Sequence, residues 1–417
     1  MLEVRTYSPD DKCFRTLREL GHFPGGQAET EATAIIRSVR EGTGPAARLS
    51  EAAIPPECLR AARDRASDAF ITAVTLARVN LRRFHECQRR QGYVHDDGDG
   101  LFLSRMVRPL TRAGLCHPDS PAELLMCAVP AQVAGVGEIV LILDPGNDAE
   151  TDSALLAAAR QLDIAEVYRL DGPAAAAVLA LGSGPVRKAD RIAGRLDAAG
   201  MAVARRLYGE AAFSVSFGGG GVAVVADGGA NARFIASDLL AQAGRRQCPG
   251  PLALLASDRP LAEAVRIEIS RRLDAGSCPA RVEANLKNGG GLFVTGSLPE
   301  AVDAANLLAP ARLQLMTRNN RECLAEVENA GSVHLGSWSP NSPGDAFSAL
   351  ALGFPETGGA RFLSGLGVED FIREMPVVEY APDRLAREAR HMRALATDDS
   401  FSLLPIGERL EFLGSGW

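Results

Sequence analysis

The side chains with the clearest chemical potential lie at the end of a predicted helix. The stretch Asp238–Arg246 (DLLAQAGRR) closes a helix that begins near Asn231, directly after a strand at Val222–Asp227. Gln242 and Arg245 are three residues apart, so the helical period places both side chains on one face. A polar pair on one face at a helix end is typical of a binding or active site.

Three other features contain residues that can do chemistry. His334 lies on a predicted strand at a position where an apolar residue is usual, and Cys116 and His117 are adjacent in a loop. The glycine run 218–221 is not followed by the Gly-Lys-Ser/Thr of a phosphate-binding loop. A structural role is the favoured interpretation of each: a hydrogen-bonded core histidine, an ordinary loop and a flexible strand connection.

Composition limits the class of protein. The chain has 417 residues and a net charge of -7 without a long Lys/Arg run, which argues against a general nucleic-acid binder. The eight scattered cysteines form no C-x-x-C motif and favour a reduced, cytoplasmic protein. Because no apolar run reaches the roughly 18 residues that cross a bilayer, and no signal-peptide pattern opens the chain, we expect no membrane association.

The pattern of apolar residues predicts the fold class. Residues 1–105 are predicted to be mostly helical, and from about residue 109 short apolar strands alternate with helices. Strands such as Glu138–Leu143 (EIVLIL) and Leu252–Ala256 are continuously apolar, which is typical of strands buried on both faces of a parallel sheet. The sequence therefore predicts an α/β protein with two successive parallel sheets.

A series of motifs, in order along nearly the whole chain, resembles the histidinol dehydrogenase family. The clearest are Arg82–Gln88, Pro109–Val136, Ala236–Ala243, Asn329–Val333 and Trp338–Asp345. The resemblance implies two Rossmann-like parallel-sheet domains of the aldehyde/histidinol dehydrogenase type, with a helical N-terminal region and a C-terminal helical tail. The implied boundaries place 1–115 with 222–366 in the first domain, 116–221 in a second, NAD-type domain, and 367–417 in a dimerisation tail of a homodimer.

The family uses zinc, two NAD molecules and a Glu-His pair to oxidise an amino alcohol to an amino acid. By resemblance, Gln242 and Asp345 match two of the zinc ligands, whereas Arg245 and Arg393 stand where the two histidine ligands belong. His391 takes the second histidine position only if the alignment slips by two residues. A guanidinium has no lone pair for a metal, so we expect no zinc, with Gln242 and Asp345 as remnant ligands.

The family's acid–base and cofactor positions are substituted as well. Ala311 and Arg312 stand in place of the Glu-His pair, and neither is a proton-transfer group at neutral pH. Cys116 replaces the tyrosine of the cofactor loop, Ala174 replaces a glutamine, and Asp197 closes a turn that is Gly-Pro-Gly-Asn in the family. A carboxylate where a pyrophosphate would approach works against NAD, so we expect no cofactor.

Three of these substitutions introduce a positive charge. Arg245, Arg312 and Arg393 occupy positions that the family's fold brings together around zinc, so guanidinium charge replaces the charge of the metal. Two interpretations stay open: Asp345, with Glu388, pairs with the arginines and fills the old cavity, or the arginines bind a small carboxylate or phosphate. The candidate substrate-binding residues are Gln242, Arg245, Arg312, Asp345, Glu388 and Arg393. The catalytic candidates are His334, Asp345 and Arg312.

Three functional hypotheses follow. The favoured one is a divergent family member that binds or transforms a small anionic or amino-acid-derived metabolite, in specialised natural-product biosynthesis. The second is a non-catalytic dimeric scaffold for a partner enzyme. The third is an NAD-dependent histidinol dehydrogenase of L-histidine biosynthesis, which requires zinc and NAD. The sequence alone does not decide whether the protein is an enzyme.

Overall fold

The structure is a computed structural model of the chain. It describes residues 2–20, 26–216, 220–245, 250–276, 278–341, 347, 358–396 and 400–413. Two compact units are present, one formed by Met1–Gln88 with Leu110–Phe371 and the other by Arg89–Pro109 with Ile372–Trp417. None of the described helices is long and apolar enough to cross a membrane.

Strands and helices are numbered in chain order. The strands are β1 (Val4–Thr6), β2 (Tyr93–Asp96), β3 (Leu101–Pro109), β4 (Arg112–Cys116), β5 (Glu138–Leu143), β6 (Glu166–Arg169), β7 (Arg191–Arg195), β8 (Ala212–Ser216), β9 (Val222–Ala226), β10 (Leu252–Ala256), β11 (Gly290–Val294), β12 (Arg312–Met316), β13 (Val333–Leu335) and β14 (Ile372–Tyr380). The helices are α1 (Lys12–Glu19), α2 (Gln27–Arg40), α3 (Leu49–Ala52), α4 (Pro56–Arg65), α5 (Asp68–Glu86), α6 (Pro121–Ala134), α7 (Ala149–Gln161), α8 (Gly172–Leu181), α9 (Ala198–Arg206), α10 (Ala232–Ala243), α11 (Arg259–Asp274), α12 (Ala280–Gly289), α13 (Leu298–Leu308), α14 (Asn320–Ala325), α15 (Pro382–Leu395) and α16 (Ser400–Phe412).

The first unit contains two parallel sheets. One has six strands in the order β1-β11-β10-β9-β12-β13, and the other has five in the order β6-β5-β4-β7-β8. The central strands β9 and β10 are buried at every residue, because helices cover both faces of a parallel sheet. The predicted fold class, α/β with two Rossmann-like parallel-sheet domains, is confirmed.

The N-terminal region divides differently from the predicted boundary. Strand β1 pairs in parallel with β11, and α1 buries Phe14 and Leu17 against the six-stranded sheet. In contrast, α2 buries Ala32 and Ile36 in the core that covers the five-stranded sheet. Residues 1–115 therefore do not pack as one piece with 222–366, because the apolar faces of α1 and α2 are buried in different cores.

The second unit contains a three-stranded antiparallel sheet in the order β14-β3-β2, together with α15 and α16. Residues 97–100 connect β2 and β3. The strand β14 has nine residues and contains a proline, Pro376. Pro376 fits there because β14 is an edge strand, where a missing N–H group is tolerated.

His85 belongs to the core beside α5. It is fully buried in that helix, and its Nδ1 lies 2.8 Å from Oε1 of Gln88. Burial lowers the pKa of His85, and the hydrogen bond that His85 makes to the amide oxygen of Gln88 opposes this effect. The histidine is therefore part of the packing of α5.

Candidate functional site

A cavity of about 530 Å³ in the first unit collects side chains that are far apart in the sequence. Helix α5 contributes one wall, and the loop before α6 together with the first turns of α6 contributes a second. A third part of the lining carries most of the positive charge of the cavity. It consists of Ala241 and Arg245 at the end of α10, Arg312 at the start of β12, and Asn341. Its volume is in the range of small-molecule sites.

Arg245 and Arg312 reach the cavity from neighbouring elements. Arg312 is the first residue of β12, where its backbone N–H donates to the carbonyl of Gly221 at 3.2 Å and its side chain is buried. Arg245 follows directly after Gly244, which ends α10, and its side chain is 23% exposed. The structure thus places two of the predicted binding residues on one cavity.

Gln242 holds the end of α10 in place. Its side chain is fully buried, and Nε2 donates to the carbonyl of Gly220 at 2.6 Å. It is not among the described residues that line the cavity. Gln242 therefore supports the turn that presents Arg245.

A buried polar chain connects α10, β12 and the cavity wall. Nε2 of Gln314 donates to Asp238 at 2.7 Å, and Nδ2 of Asn341 lies 3.5 Å from Oε1 of Gln314. Burial raises the pKa of Asp238, against the lowering effect of its hydrogen bonds from Gln314 and the Asn341 backbone. Sequence reasoning missed this chain, although a Gln inside the apolar run of β12 is a usable signal.

An ion cluster forms the side of the cavity nearest the five-stranded sheet. Arg195, at the end of β7, pairs with Glu123 of α6, and its Nη1 lies 2.5 Å from Asp119. Arg195 and Glu123 are both buried, and Arg245 reaches the same Glu123 carboxylate at 3.9 Å. Two carboxylates and two guanidinium groups therefore meet at this wall, and their formal charges balance. Arg312 on β12 adds a further positive charge to the cavity.

Local sequence explains why Glu123 and Arg195 meet. Ser120 caps α6 by accepting the Glu123 N–H at 3.3 Å, and the Glu123 carboxylate accepts the Asp119 N–H at 2.9 Å, a reciprocal arrangement like a capping box. On β7, Gly194 has φ +125°, and a Cβ there would lie 2.1 Å from the carbonyl oxygen of Cys116. The glycine lets β7 approach β4 closely and delivers Arg195 to the start of α6.

The positions of the family's cofactor site have structural roles in the described residues. Cys116 is fully buried in β4, and burial raises the pKa of its thiol. Ala174 donates its N–H to Asp171, which caps α8, and Asp197 caps α9 by accepting the N–H of Gly200 at 2.8 Å. The N-termini of these two helices therefore already face carboxylates.

The remaining candidates have separate outcomes. His334 is buried in β13 beside Gln314, and it is not among the described lining residues. Glu388 pairs with Arg384 at 2.7 Å on α15. Arg393 and His391 are exposed on the same helix, which belongs to the second unit. The position of Glu388 and Arg393 beside Arg312 therefore stays a prediction. Asp345 lies outside the described residues.

The described donors do not assemble a metal centre. Across the described ranges, no group of three or more His, Cys, Asp or Glu side chains is placed to hold a metal ion. At the end of α10, Arg245 contributes a guanidinium, which has no lone pair for a metal and carries a positive charge. This end of the cavity is suited to bind negative charge.

Comparison with known proteins gives one family. The family model of histidinol dehydrogenase matches residues 28–403. Histidinol dehydrogenase of Listeria monocytogenes serotype 4b is 30% identical over 380 residues, which cover 87% of this chain and 88% of that relative. The corresponding protein of Caldanaerobacter subterraneus is 33% identical over 337 residues, with coverages of 80% and 78%.

A solved structure shares the fold. Histidinol dehydrogenase from Elizabethkingia anophelis superimposes with a TM-score of 0.86 at 22% identity, and the match covers 99% of both chains.

Proposed function

The chain belongs to the histidinol dehydrogenase family, and we propose that it binds or transforms a small anionic or amino-acid-derived metabolite instead of performing zinc- and NAD-dependent oxidation. The observation that carries the proposal is the presence of Arg245 and Arg312 on one cavity of about 530 Å³. Guanidinium groups bind carboxylates and phosphates through paired N–H donors. In a partly buried cavity this attraction is stronger than in water.

The donor set supports the loss of zinc. Arg245 brings a fixed positive charge and no lone pair to the place of a ligand. At the acid–base positions, Ala311 has no ionisable group and Arg312 is a guanidinium, which does not serve as a general base. The residues described here do not fit a zinc ion, so no step of the proposed function involves one.

The helix ends of the five-stranded sheet support the loss of NAD. A dinucleotide phosphate normally binds at the N-terminus of a helix, where backbone N–H groups are free to donate. Here Asp197 and Asp171 accept those N–H groups on α9 and α8. Phosphate oxygens would have to displace two carboxylates of like charge.

A second candidate is oxidation of histidinol with zinc and NAD. It is favoured by the name of the relatives and by the 87% of the chain that the Listeria alignment covers. Purified protein incubated with histidinol and NAD, with metal content measured in parallel, separates the two. We expect no NADH formation and sub-stoichiometric zinc; stoichiometric zinc with turnover overturns our proposal.

Ligand binding is tested by thermal shift with carboxylates, phosphates and amino acids, followed by calorimetry of the strongest hit. We expect Arg312→Ala to raise the Kd about tenfold or more, because a charge-assisted hydrogen bond is lost. Arg312→Lys should restore part of the affinity, since it keeps the charge without the fork. The matched control is Arg318→Ala, which removes an exposed arginine just beyond the same strand.

Two outcomes contradict anion binding. If no anion stabilises the protein, the scaffold for a partner enzyme becomes the better hypothesis. If Arg318→Ala weakens the hit as much as Arg312→Ala, the ligand binds outside the cavity. We further propose that the chain acts as a cytoplasmic homodimer without nucleic acid or a membrane as partner.

A further inference from the structure

We infer that the ligand of the arginine-lined cavity carries its anionic group on an apolar body, aliphatic or aromatic. This inference rests on the proposed anion-binding function and adds the class of ligand. Its basis is the composition of the walls that lie away from the arginines.

The first wall is one face of α5. Phe70, Ala73, Val74 and Ala77 all line the cavity, and their spacing of three and four residues places them on one side of the helix. None of these four side chains has a hydrogen-bonding group. A sugar or another polyhydroxylated ligand body would lose hydrogen bonds with water there and gain none from this wall.

The second wall continues this apolar surface. Leu125 and Met126 of α6 line the cavity, and Phe347 adds an aromatic ring. Methionine and phenylalanine adapt to flat or branched apolar groups, which suits an aliphatic chain or a ring. A cavity with a few charged groups and broad apolar walls is the usual design of a small-molecule site.

The charged groups are concentrated rather than spread over these walls. Glu123 contacts both Arg195 and Arg245, so the described carboxylates and guanidinium groups of the α6 side form one connected cluster. Arg312, on β12, adds positive charge to the same cavity. The head of the ligand is therefore fixed by charge, and its body gains affinity by removing apolar surface from water.

The test is a homologous series of straight-chain acids: acetate, butyrate, hexanoate and octanoate, titrated into the full-length protein by calorimetry. We expect the Kd to fall about two- to fourfold per added methylene until the cavity is filled. Phenylpropionate should bind more tightly than acetate, and hexyl phosphate, in comparison with hexanoate, identifies the preferred head group. Polar acids of the same length, such as gluconate, should bind weakly.

A cavity-filling variant shows where the chain binds. Ala73→Leu adds an apolar side chain inside the cavity, so it should weaken octanoate at least tenfold and leave acetate within about twofold. Thr72→Leu adds the same side chain at an exposed position of α5 and should change neither.

The outcomes separate the two proposals. If every acid binds with the same Kd and that binding depends on Arg312, anion binding stands and the apolar body is wrong. If neither an acid nor hexyl phosphate binds, the proposed function itself fails. If Thr72→Leu and Ala73→Leu weaken octanoate equally, the chain binds outside this cavity.

Discussion

At the scale of single residues, a change from histidine to arginine alters what a site can hold. Histidine offers a lone pair to a metal, whereas arginine has only N–H donors and a fixed charge. The end of α10 is held by the hydrogen bond from Gln242 to Gly220 at 2.6 Å, which is a contact within the protein. Arg245 and Arg312 therefore favour an acidic ligand.

The buried pair of Glu123 and Arg195 gives a prediction at the same scale. Glu123→Gln leaves Arg195 with the more exposed Asp119, and Arg195→Met leaves Glu123 with Arg245 at 3.9 Å, so each should lower the free energy of unfolding by up to about 3–5 kcal/mol. The double variant should lose clearly less than the sum. Urea denaturation followed by circular dichroism measures all three changes.

The control for this pair is on the surface. Glu29 and Arg206 form a pair at 2.9 Å, but their side chains are 38% and 40% exposed. Glu29→Gln should therefore change the free energy of unfolding by no more than about 1 kcal/mol. Equal effects at Glu123 and Glu29 would show that the pair behind the cavity is not buried in solution.

At the scale of elements, the contact between β4 and β7 depends on Gly194. Its φ is +125°, and an added Cβ would lie 2.1 Å from the Cys116 carbonyl oxygen. Gly209 has a comparable φ of +102°, but no atom lies within 4 Å of an added Cβ. Gly194→Ala should lose at least about 1 kcal/mol more stability than Gly209→Ala, because both add about 1–3 kcal/mol of backbone strain and only the former adds a clash. Thermal or urea unfolding of both variants measures the two losses of stability. Equal losses would contradict the expected clash at Gly194.

The elements differ in how well the sequence predicts them. Strands β9 and β10 are predictable, since VAVVA and LALLA are apolar throughout and buried on both faces. Strands β3 and β14 alternate half-buried and exposed residues only irregularly, and β14 contains Pro376. Their pairing joins Leu101 with Tyr380, a long-range contact for which local pattern has no signal.

The candidate site was predictable only in part, because local sequence pattern has no signal for long-range contacts. Arg245 and Arg312 follow from the family's motifs, because the motifs fix their position on the fold. Glu123 and Arg195 are separated by 72 residues, and only the parallel pairing of β4 with β7 brings them together. A charged residue within an apolar segment indicates burial with a partner, but it does not say which partner.

At the scale of the whole molecule, charge is distributed unevenly. The chain has a net charge of -7, yet the cavity and the ion cluster beside it together bring three arginines, Arg195, Arg245 and Arg312, against the carboxylates of Asp119 and Glu123. The protein as a whole therefore does not attract an anion over long distances. Local guanidinium groups must supply the binding energy. Added salt should consequently weaken binding less than it would for a site that depends on net charge, because buried interactions are screened little.

Exposed apolar side chains of the second unit support the proposed homodimer. Size-exclusion chromatography with light scattering tests this oligomeric state. Leu395 at the end of α15 and Phe412 at the end of α16 are 87% and 91% exposed in the single chain. Covering each in a dimer contributes about 1.5–3 kcal/mol, so we expect twice the chain mass of 44.0 kDa.

Leu395→Asp with Phe412→Asp should shift the particle toward the monomer, because a carboxylate at either position opposes burial. Leu76→Asp, at a 54% exposed leucine of α5, is the control and should leave the dimer intact. A monomeric wild-type protein at micromolar concentration would contradict the dimer.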